Sequence, residues 1–149
     1  MVKPLIVTKQ IRATVDEVFE VVAHIEVASN ILPKIQRAVI LSDQKRGVGT
    51  RFVETRMMGK REFTMEFEVT EYDPPRSIRF HCVDQMDTTW DSVYELEETD
   101  GATTLILTLH YIPTTFSMKL MWPLMKWVVR KGAAEDLNYF ANHLENQQH

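Results

Sequence analysis

The sequence has 149 residues, which is long enough for one domain with a buried core. Its apolar fraction of 44% and charged fraction of 26% are typical of a soluble globular protein, so a disordered or membrane-spanning chain is excluded. The net charge of −4 argues against nucleic acid or an anionic membrane as the main partner, and the single cysteine excludes an internal disulfide and predicts a reducing compartment.

The first 33 residues predict a strand and two short helices. Residues 3–13 alternate apolar and polar side chains, which favours a strand. The N-terminal residues Met1-Val2-Lys3-Pro4 lack the shape of a signal peptide, so we expect a cytoplasmic protein. Thr14 and Glu17 form a capping-box pattern that predicts a helix start. A second helical turn is expected around Glu26–Asn30, because Pro33 ends it.

The middle of the chain predicts about six antiparallel strands joined by turns. Residues 47–49, Gly-Val-Gly, are interpreted as a hairpin turn because they lack the Lys-Ser/Thr of a phosphate loop. Turns at Gly59-Lys60 and Asp100-Gly101 fix two hairpin registers, and apolar matching around Gln85–Asp87 fixes a third. These registers pair Phe52 with Phe67, Glu54 with Met65, Arg56 with Phe63, Cys82 with Trp90, Trp90 with Tyr111 and Tyr94 with Leu107.

Residues 114–148 predict one long C-terminal helix, with Thr115 among its candidate N-caps. Pro123 predicts a kink or a fresh start, and the apolar run around it is too short to span a bilayer. Glu135 and Asp136 are assigned to the polar face. The broad apolar face consists of Phe116, Met118, Trp122, Met125, Val129, Leu137, Phe140 and Leu144.

These elements predict a single α+β domain over residues 1–149. An antiparallel sheet of about six to seven strands must cover one apolar face, and the last helix is its obvious cover. A curved sheet around a helix commonly leaves space between the two. We therefore expect a cavity there, closed by loops around Ile31–Lys34 and Gly59–Lys60 and by the start of the last helix.

Short motifs carry a family resemblance: Ile11-Arg12-Ala13 before Val15–Phe19, Gly47–Phe52, Glu71–Arg76, and Tyr94-Glu95-Leu96 before Asp100-Gly101. On these motifs the chain resembles the START-like superfamily (SRPBCC, Bet v 1-like), and within it bacterial proteins of the polyketide cyclase/dehydrase type. The resemblance implies a helix-grip fold with a deep, largely apolar cavity for a small hydrophobic molecule. It implies no catalytic residues, because the superfamily has no catalytic set common to all members.

Glu54 and Arg56 are the candidate polar anchor. They lie two residues apart on one strand, on the same face as Phe52 and Phe67, where a charge is costly unless it is paired or hydrated. The functional interpretation is an anchor for a carboxylate, phenol or carbonyl of a ligand. The structural alternatives are an ion pair or a strand end at which this face of the sheet is already hydrated.

The predicted function is reversible binding of a small hydrophobic or amphipathic molecule of lipid, polyketide or aromatic type, without a cofactor or metal. One alternative is a cyclase, aromatase or dehydratase, with Glu54 as base and Arg56 polarising a carbonyl. Another is a co-chaperone-like or quinone-associated interaction module, which predicts a filled core and an exposed apolar patch around Trp122–Val129. We expect a monomer or homodimer that binds no nucleic acid and has no integral membrane segment. The predicted ligand-binding residues are Phe52, Glu54, Arg56, Phe63, Met65, Phe67, Phe80, Trp90, Tyr94, Leu107, Tyr111, Met118, Trp122, Met125 and Val129.

His81, Asp91 and His110 are predicted side by side on three adjacent strands. Two imidazoles and a carboxylate are typical of a zinc or iron site or of a proton-transfer set. The registers place them on the outer face of the sheet, so we expect a solvated row or a dimer contact instead. The sequence shows no partner for the remaining histidines, His24, His143 and His149.

Overall fold

The computed structural model describes residues 2–147 and contains a seven-stranded antiparallel sheet and three helices. The elements are β1 (Leu5–Ile11), α1 (Val15–Val22), α2 (Ile25–Ile31), β2 (Ile35–Ile40), β3 (Arg51–Met58), β4 (Arg61–Asp73), β5 (Ser77–Asp84), β6 (Thr89–Thr99), β7 (Ala102–Ile112) and α3 (Phe116–Asn146). The order along the sheet is β1-β7-β6-β5-β4-β3-β2, so the first two helices connect the two edge strands. The predicted α+β helix-grip architecture is confirmed.

Helix α1 begins at the predicted capping box. The Glu17 backbone N–H donates to the Thr14 hydroxyl at 3.2 Å, and the Thr14 backbone N–H donates to the Glu17 carboxylate at 3.1 Å. Both bonds satisfy donors that a helix start otherwise leaves free. The helix buries Val18 and Phe19, and α2 follows directly where the second helical turn was predicted.

The three predicted hairpin registers are confirmed. Glu54 lies opposite Met65 and Arg56 opposite Phe63, while Trp90 lies between Cys82 and Tyr111. A slip of one residue would turn every apolar side chain of a strand to the outer face, so the apolar pattern supports the registers that the turns select.

The second half of α3 forms the core with β1, β7 and α1. Leu137 and Phe140 are 1% exposed, and Ile11 and Leu105, which belong to the same buried cluster, are 0% exposed. Burial of such side chains stabilises a fold by about 1.5–3 kcal/mol each. The same buried cluster includes Phe52 and Phe80, so the core extends from α3 to the strands in the middle of the sheet.

The first half of α3 differs from its prediction. Thr115 is the N-cap and accepts from the Met118 N–H, but Phe116 is 74% exposed rather than part of a buried apolar face. The helix is continuous through Pro123, so no fresh start occurs there, and it spans about 46 Å at about 1.5 Å per residue. The predicted end at Gln148 lies outside the described residues.

Within the described part of the chain, no helix combines the length and the apolar character needed to cross a membrane.

Gly132 is a position within α3 where a substitution is expected to stabilise the protein. A Cβ at this position meets nothing within 4 Å, and glycine costs a helix interior about 0.8–1 kcal/mol relative to alanine. We expect Gly132→Ala to raise the free energy of unfolding by about 0.5–1 kcal/mol in a urea titration. The matched control is Gly59→Ala, which has to lower it because Gly59 has φ of +67°. Destabilisation by Gly132→Ala would contradict the open space at that position.

Candidate ligand-binding site

A cavity of about 630 Å³ lies between the sheet and α3. Three phenylalanines form much of its sheet side: Phe52 stacks on Phe67 with ring centroids 4.9 Å apart, and Phe80 meets both edge to face. Four of the lining residues are exposed to solvent. Met58 and Gly59 lie on one side of the cavity, and Val128 and Lys131 lie on the other. The cavity therefore opens between the β3–β4 turn and the middle of α3.

Most residues predicted to bind ligand line this cavity. The helix contributes Val129 and also Phe140, which the prediction assigned only to the apolar face. The lining includes Phe52, Glu54, Arg56, Phe63, Met65, Phe67, Phe80, Trp90, Tyr94, Leu107 and Val129 from the predicted set.

Four predicted ligand-binding residues lie elsewhere. Tyr111, Met118 and Met125 line a second cavity of about 180 Å³, which Trp90 also borders. Trp122 stacks on Tyr111 with ring centroids 4.5 Å apart. The first half of α3 thus packs on this aromatic cluster at one end of the sheet, and only the middle and second half of the helix cover the large cavity.

Two buried carboxylates share one guanidinium inside the large cavity. Arg56 Nε donates to Glu54 Oε2 at 3.1 Å, and Arg56 Nη1 donates to Asp136 Oδ2 at 3.1 Å. The side chains are 17%, 7% and 12% exposed in the order Arg56, Glu54, Asp136. Glu54 and Arg56 project inward from β3 and Asp136 from α3, so the cluster joins the sheet to the helix across the cavity wall.

Asp136 was assigned to the polar face of the last helix, and this assignment is wrong. It precedes the buried Leu137 and lies four residues before the buried Phe140, so it falls within the buried stripe of α3. The sequence held a usable signal in that spacing. A polar residue inside an apolar helical stripe usually has a buried partner, and Arg56 was the available cation.

Burial is the largest influence on both carboxyl groups. It raises the pKa of Glu54 and of Asp136, and the charge of Arg56 opposes the effect without cancelling it. Burial opposes ionisation of Arg56 as well, but the two carboxylates outweigh it and raise the pKa of the guanidinium. Arg56 is therefore charged at neutral pH, and the two carboxyl groups hold a proton more readily than exposed ones.

One oxygen of this cluster has no hydrogen-bond partner among the described residues. Asp136 Oδ1 is buried and accepts no hydrogen bond from any residue in the range 2–147. Tyr94 lines the same cavity, and burial raises the pKa of its phenol, so it stays neutral. A buried acceptor without a donor costs about 1–3 kcal/mol, which a donor brought by a ligand would recover.

An ion pair lies at the edge of the cavity. Lys34 Nζ donates to Glu135 Oε2, and both residues line the cavity. This pair connects the segment after α2, part of the predicted gate, to α3. The Ile31–Lys34 loop was expected from the sequence to border the cavity, but its partner on the helix was not.

The predicted row His81, Asp91 and His110 exists on adjacent strands. His81 Nδ1 lies 3.1 Å from Asp91 Oδ1, and Arg79, which was not anticipated, donates to Asp91 Oδ2 at 3.0 Å. Burial would raise the pKa of Asp91, but these two hydrogen bonds outweigh it and lower the pKa. Residues 2–147 contain no group of three His, Cys, Asp or Glu side chains able to hold a metal ion.

His24 has partners that the sequence did not reveal. It is 3% exposed, with Nδ1 3.0 Å from the Glu20 carbonyl and Nε2 2.9 Å from the Tyr72 hydroxyl, and burial lowers its pKa. His143 lies 3.1 Å from the Gln147 amide nitrogen, and His149 lies outside the described residues. Cys82 is buried beside the large cavity, where burial raises the pKa of its thiol, so it is not an activated nucleophile.

Residues 5–145 match the profile of a family described as "Polyketide cyclase / dehydrase and lipid transport". No protein among curated sequences matches the chain. Many solved structures share the fold, among them the following three. Zhui aromatase/cyclase from Streptomyces sp. R1128 is 18% identical, with 99% of this chain and 96% of that chain covered and a TM-score of 0.83. TTHA0849 from Thermus thermophilus is 15% identical, with 98% and 99% covered and a TM-score of 0.81. Ms6760 from Mycobacterium smegmatis is 20% identical, with 95% and 90% covered and a TM-score of 0.73.

Proposed function

The chain belongs to the polyketide cyclase/dehydrase and lipid transport family, and from this we infer that it binds one small, mostly apolar molecule between the sheet and α3. The observation that carries the proposal is the cavity of about 630 Å³, walled by aromatic and aliphatic side chains and containing one buried charged cluster. Ligand pockets commonly have volumes of about 300–1,000 Å³ and combine apolar walls with few polar groups.

Apolar burial drives the proposed binding. Each CH₂ group that leaves water contributes about 0.8 kcal/mol, so a molecule of ten or more carbons gains enough to offset its lost freedom of motion. The phenylalanines Phe52, Phe67 and Phe80 offer both ring faces and ring edges to a flat ligand. The geometry favours an aromatic or fused-ring skeleton over a single extended chain.

The polar end of the ligand faces the Glu54–Arg56–Asp136 cluster and supplies a hydrogen-bond donor. Arg56 is engaged by both carboxylates, so it has no free charge for a ligand carboxylate, whereas Asp136 Oδ1 needs a donor. A phenol, alcohol or amine satisfies that need. The sequence predicted that the cluster would hold a carboxylate, phenol or carbonyl of the ligand. This proposal retains the phenol and replaces the carboxylate with an alcohol or an amine.

The first experiment is native mass spectrometry of the freshly purified protein, with solvent extraction of any bound molecule. A stoichiometric adduct that is lost on unfolding is the expected result. Absence of an adduct, together with no binding of the neutral fluorophore N-phenyl-1-naphthylamine, would contradict a binding role.

Filling the cavity is expected to block binding without unfolding the protein. Ser92 lines the cavity between Phe80 and Leu109, so Ser92→Leu places apolar volume inside it. We expect at least about tenfold weaker binding of N-phenyl-1-naphthylamine, with an unfolding midpoint that does not fall. The matched control is Ser77→Leu, the same change on the outer face of β5. Equal loss in both variants would show that the cavity is not the binding site.

A second candidate function is catalysis of a cyclisation or dehydration. It is favoured by Glu54, which stands on the cavity wall with a pKa raised by burial, as a general acid or base requires. In this function Arg56 and its neighbours orient a substrate carbonyl beside Glu54. Glu54→Gln would then abolish turnover of the extracted ligand or its precursor while N-phenyl-1-naphthylamine still binds. The interaction-module hypothesis predicted a filled core and an exposed apolar patch around Trp122–Val129. The cavity argues against the filled core, whereas Leu124, Trp127 and Val128 are exposed as that hypothesis expects, although Trp122 is buried.

A further inference from the structure

The first half of α3 carries an exposed apolar face. Phe116, Leu120, Leu124 and Trp127 are between 64% and 74% exposed and recur at spacings of three and four, so they lie on one side of the helix. Met121 and Val128 widen this face, with exposures of 52% and 53%. Isolated apolar residues are common on surfaces, but six on one helical segment form a continuous patch.

The charged residues within this helical segment all have the same sign. Between Thr114 and Ala134 the sequence contains no acidic residue and four basic ones, Lys119, Lys126, Arg130 and Lys131. Lys131 Nζ lies 5.7 Å from the ring centroid of the exposed Trp127. The chain as a whole has a net charge of −4, so positive charge is concentrated on this segment.

The same segment borders the opening of the large cavity. Val128 is exposed and also lines the cavity, and Lys131 does the same one turn later. A surface on which this face rested would therefore lie against the opening through which a ligand enters.

We propose that this face of α3 docks on an anionic lipid bilayer and lies in the plane of its headgroups. An exposed tryptophan, aliphatic side chains and flanking lysines are the features of a helix that lies on a membrane rather than crossing it. The whole-chain charge argued against an anionic membrane, but that sum conceals the concentration of basic residues on this segment. This inference concerns the outer surface and does not rest on the identity of the cavity ligand.

Charge also decides between a bilayer and a second copy of the chain. A symmetric dimer through this face would bring two basic segments together, and neither contains an acidic residue to pair with them. An anionic bilayer supplies the opposite charge and accepts the apolar side chains at once.

The test is flotation with vesicles of phosphatidylcholine containing about one-third phosphatidylglycerol, at about 0.05 M and about 0.5 M salt. The apolar variant is Leu124→Gln/Trp127→Gln and the basic variant is Lys119→Gln/Lys126→Gln, none of which line the large cavity. Matched controls are Val39→Gln/Leu41→Gln, which are exposed apolar residues elsewhere, and Lys45→Gln/Arg51→Gln, which are exposed basic residues elsewhere.

We expect the wild-type protein and both controls to float with anionic vesicles at low salt and to be released at high salt. Both test variants are expected to bind at least about tenfold more weakly. The proposal is overturned if the wild-type protein does not float or if the variants bind as well as the controls. It is also overturned if the protein does not bind vesicles and light scattering shows a dimer that Leu124→Gln/Trp127→Gln dissociates. The face would then be the interface between two copies of this chain.

Discussion

Replacing Arg56 by methionine is expected to lower the free energy of unfolding at neutral pH by about 3–5 kcal/mol, the typical cost of leaving a buried charge unpaired. Both Glu54 and Asp136 depend on this guanidinium, and their side chains are 7% and 12% exposed. Methionine fills a similar volume, so the loss reports on charge rather than on packing. The measurement is urea denaturation at neutral pH and at about pH 4, near the unperturbed carboxyl pKa.

The deficit is expected to shrink as the pH falls. Burial already raises the pKa of Glu54 and of Asp136, and loss of Arg56 removes the charge that opposes this effect. A carboxyl group whose folded-state pKa exceeds its unfolded value contributes its stability below the unfolded pKa and loses it as the pH rises through the folded pKa. In Arg56→Met the two buried carboxyl groups therefore lower the free energy of unfolding least at low pH, where they are protonated.

Two controls separate charge from other causes. Arg51→Met removes an exposed arginine from the same strand and is expected to change stability by no more than about 0.5 kcal/mol. Adding Glu54→Gln and Asp136→Asn to Arg56→Met is expected to recover most of the loss, because no charged side chain then remains in this cluster. A deficit that persists unchanged at low pH, or in this triple variant, would mean that Arg56 acts through packing.

The sheet was predictable from the sequence because its signals are local. Turn glycines at Gly59 and Gly101 have the positive φ angles that their turns require, and alternation of apolar residues fixed each register. The positions of Glu54 and Arg56 on the inner face followed from those registers alone.

The long helix was only partly predictable, because its environment changes along its length. An apolar stripe is expected to face the core, yet Phe116 is exposed and Asp136 is buried. Both exceptions break the usual relation between polarity and burial, and such exceptions concentrate where a protein binds something. An apolar pattern taken over the whole helix does not reveal either exception.

The crossing of α3 over the sheet was not encoded in any local pattern. Spacing shows which residues share a helical face but not where along the sheet each turn of the helix lies. Met118, Trp122 and Met125 therefore belong to the aromatic end of the sheet rather than to the large cavity. The Asp136 contact with Arg56 spans 80 residues of sequence and depends on the same crossing.

The protein is expected to distinguish sharply between two ligands that differ by one charge. N-phenyl-1-naphthylamine and 8-anilinonaphthalene-1-sulfonate share their aromatic skeleton, and the second adds a sulfonate. A buried sulfonate would meet two carboxyl groups and an arginine already bound to both. We expect the neutral amine to bind at least about 100-fold more tightly, which corresponds to about 2.7 kcal/mol.

Neutralising the carboxylates is expected to remove this preference. In Glu54→Gln/Asp136→Asn the guanidinium loses both anionic partners and becomes available to a sulfonate, so the affinity ratio from fluorescence titration is expected to fall below about tenfold. Glu66→Gln/Glu68→Gln removes two exposed carboxylates with the same spacing from the outer side of β4 and has to leave the ratio unchanged. Titrations in the Leu124→Gln/Trp127→Gln background exclude dye bound to the basic, apolar face of α3. Equal affinity of the wild-type protein for the two dyes would show that the cluster does not face the ligand, and the polar end of the binding site would then have to lie at the cavity opening beside Lys34 and Lys131.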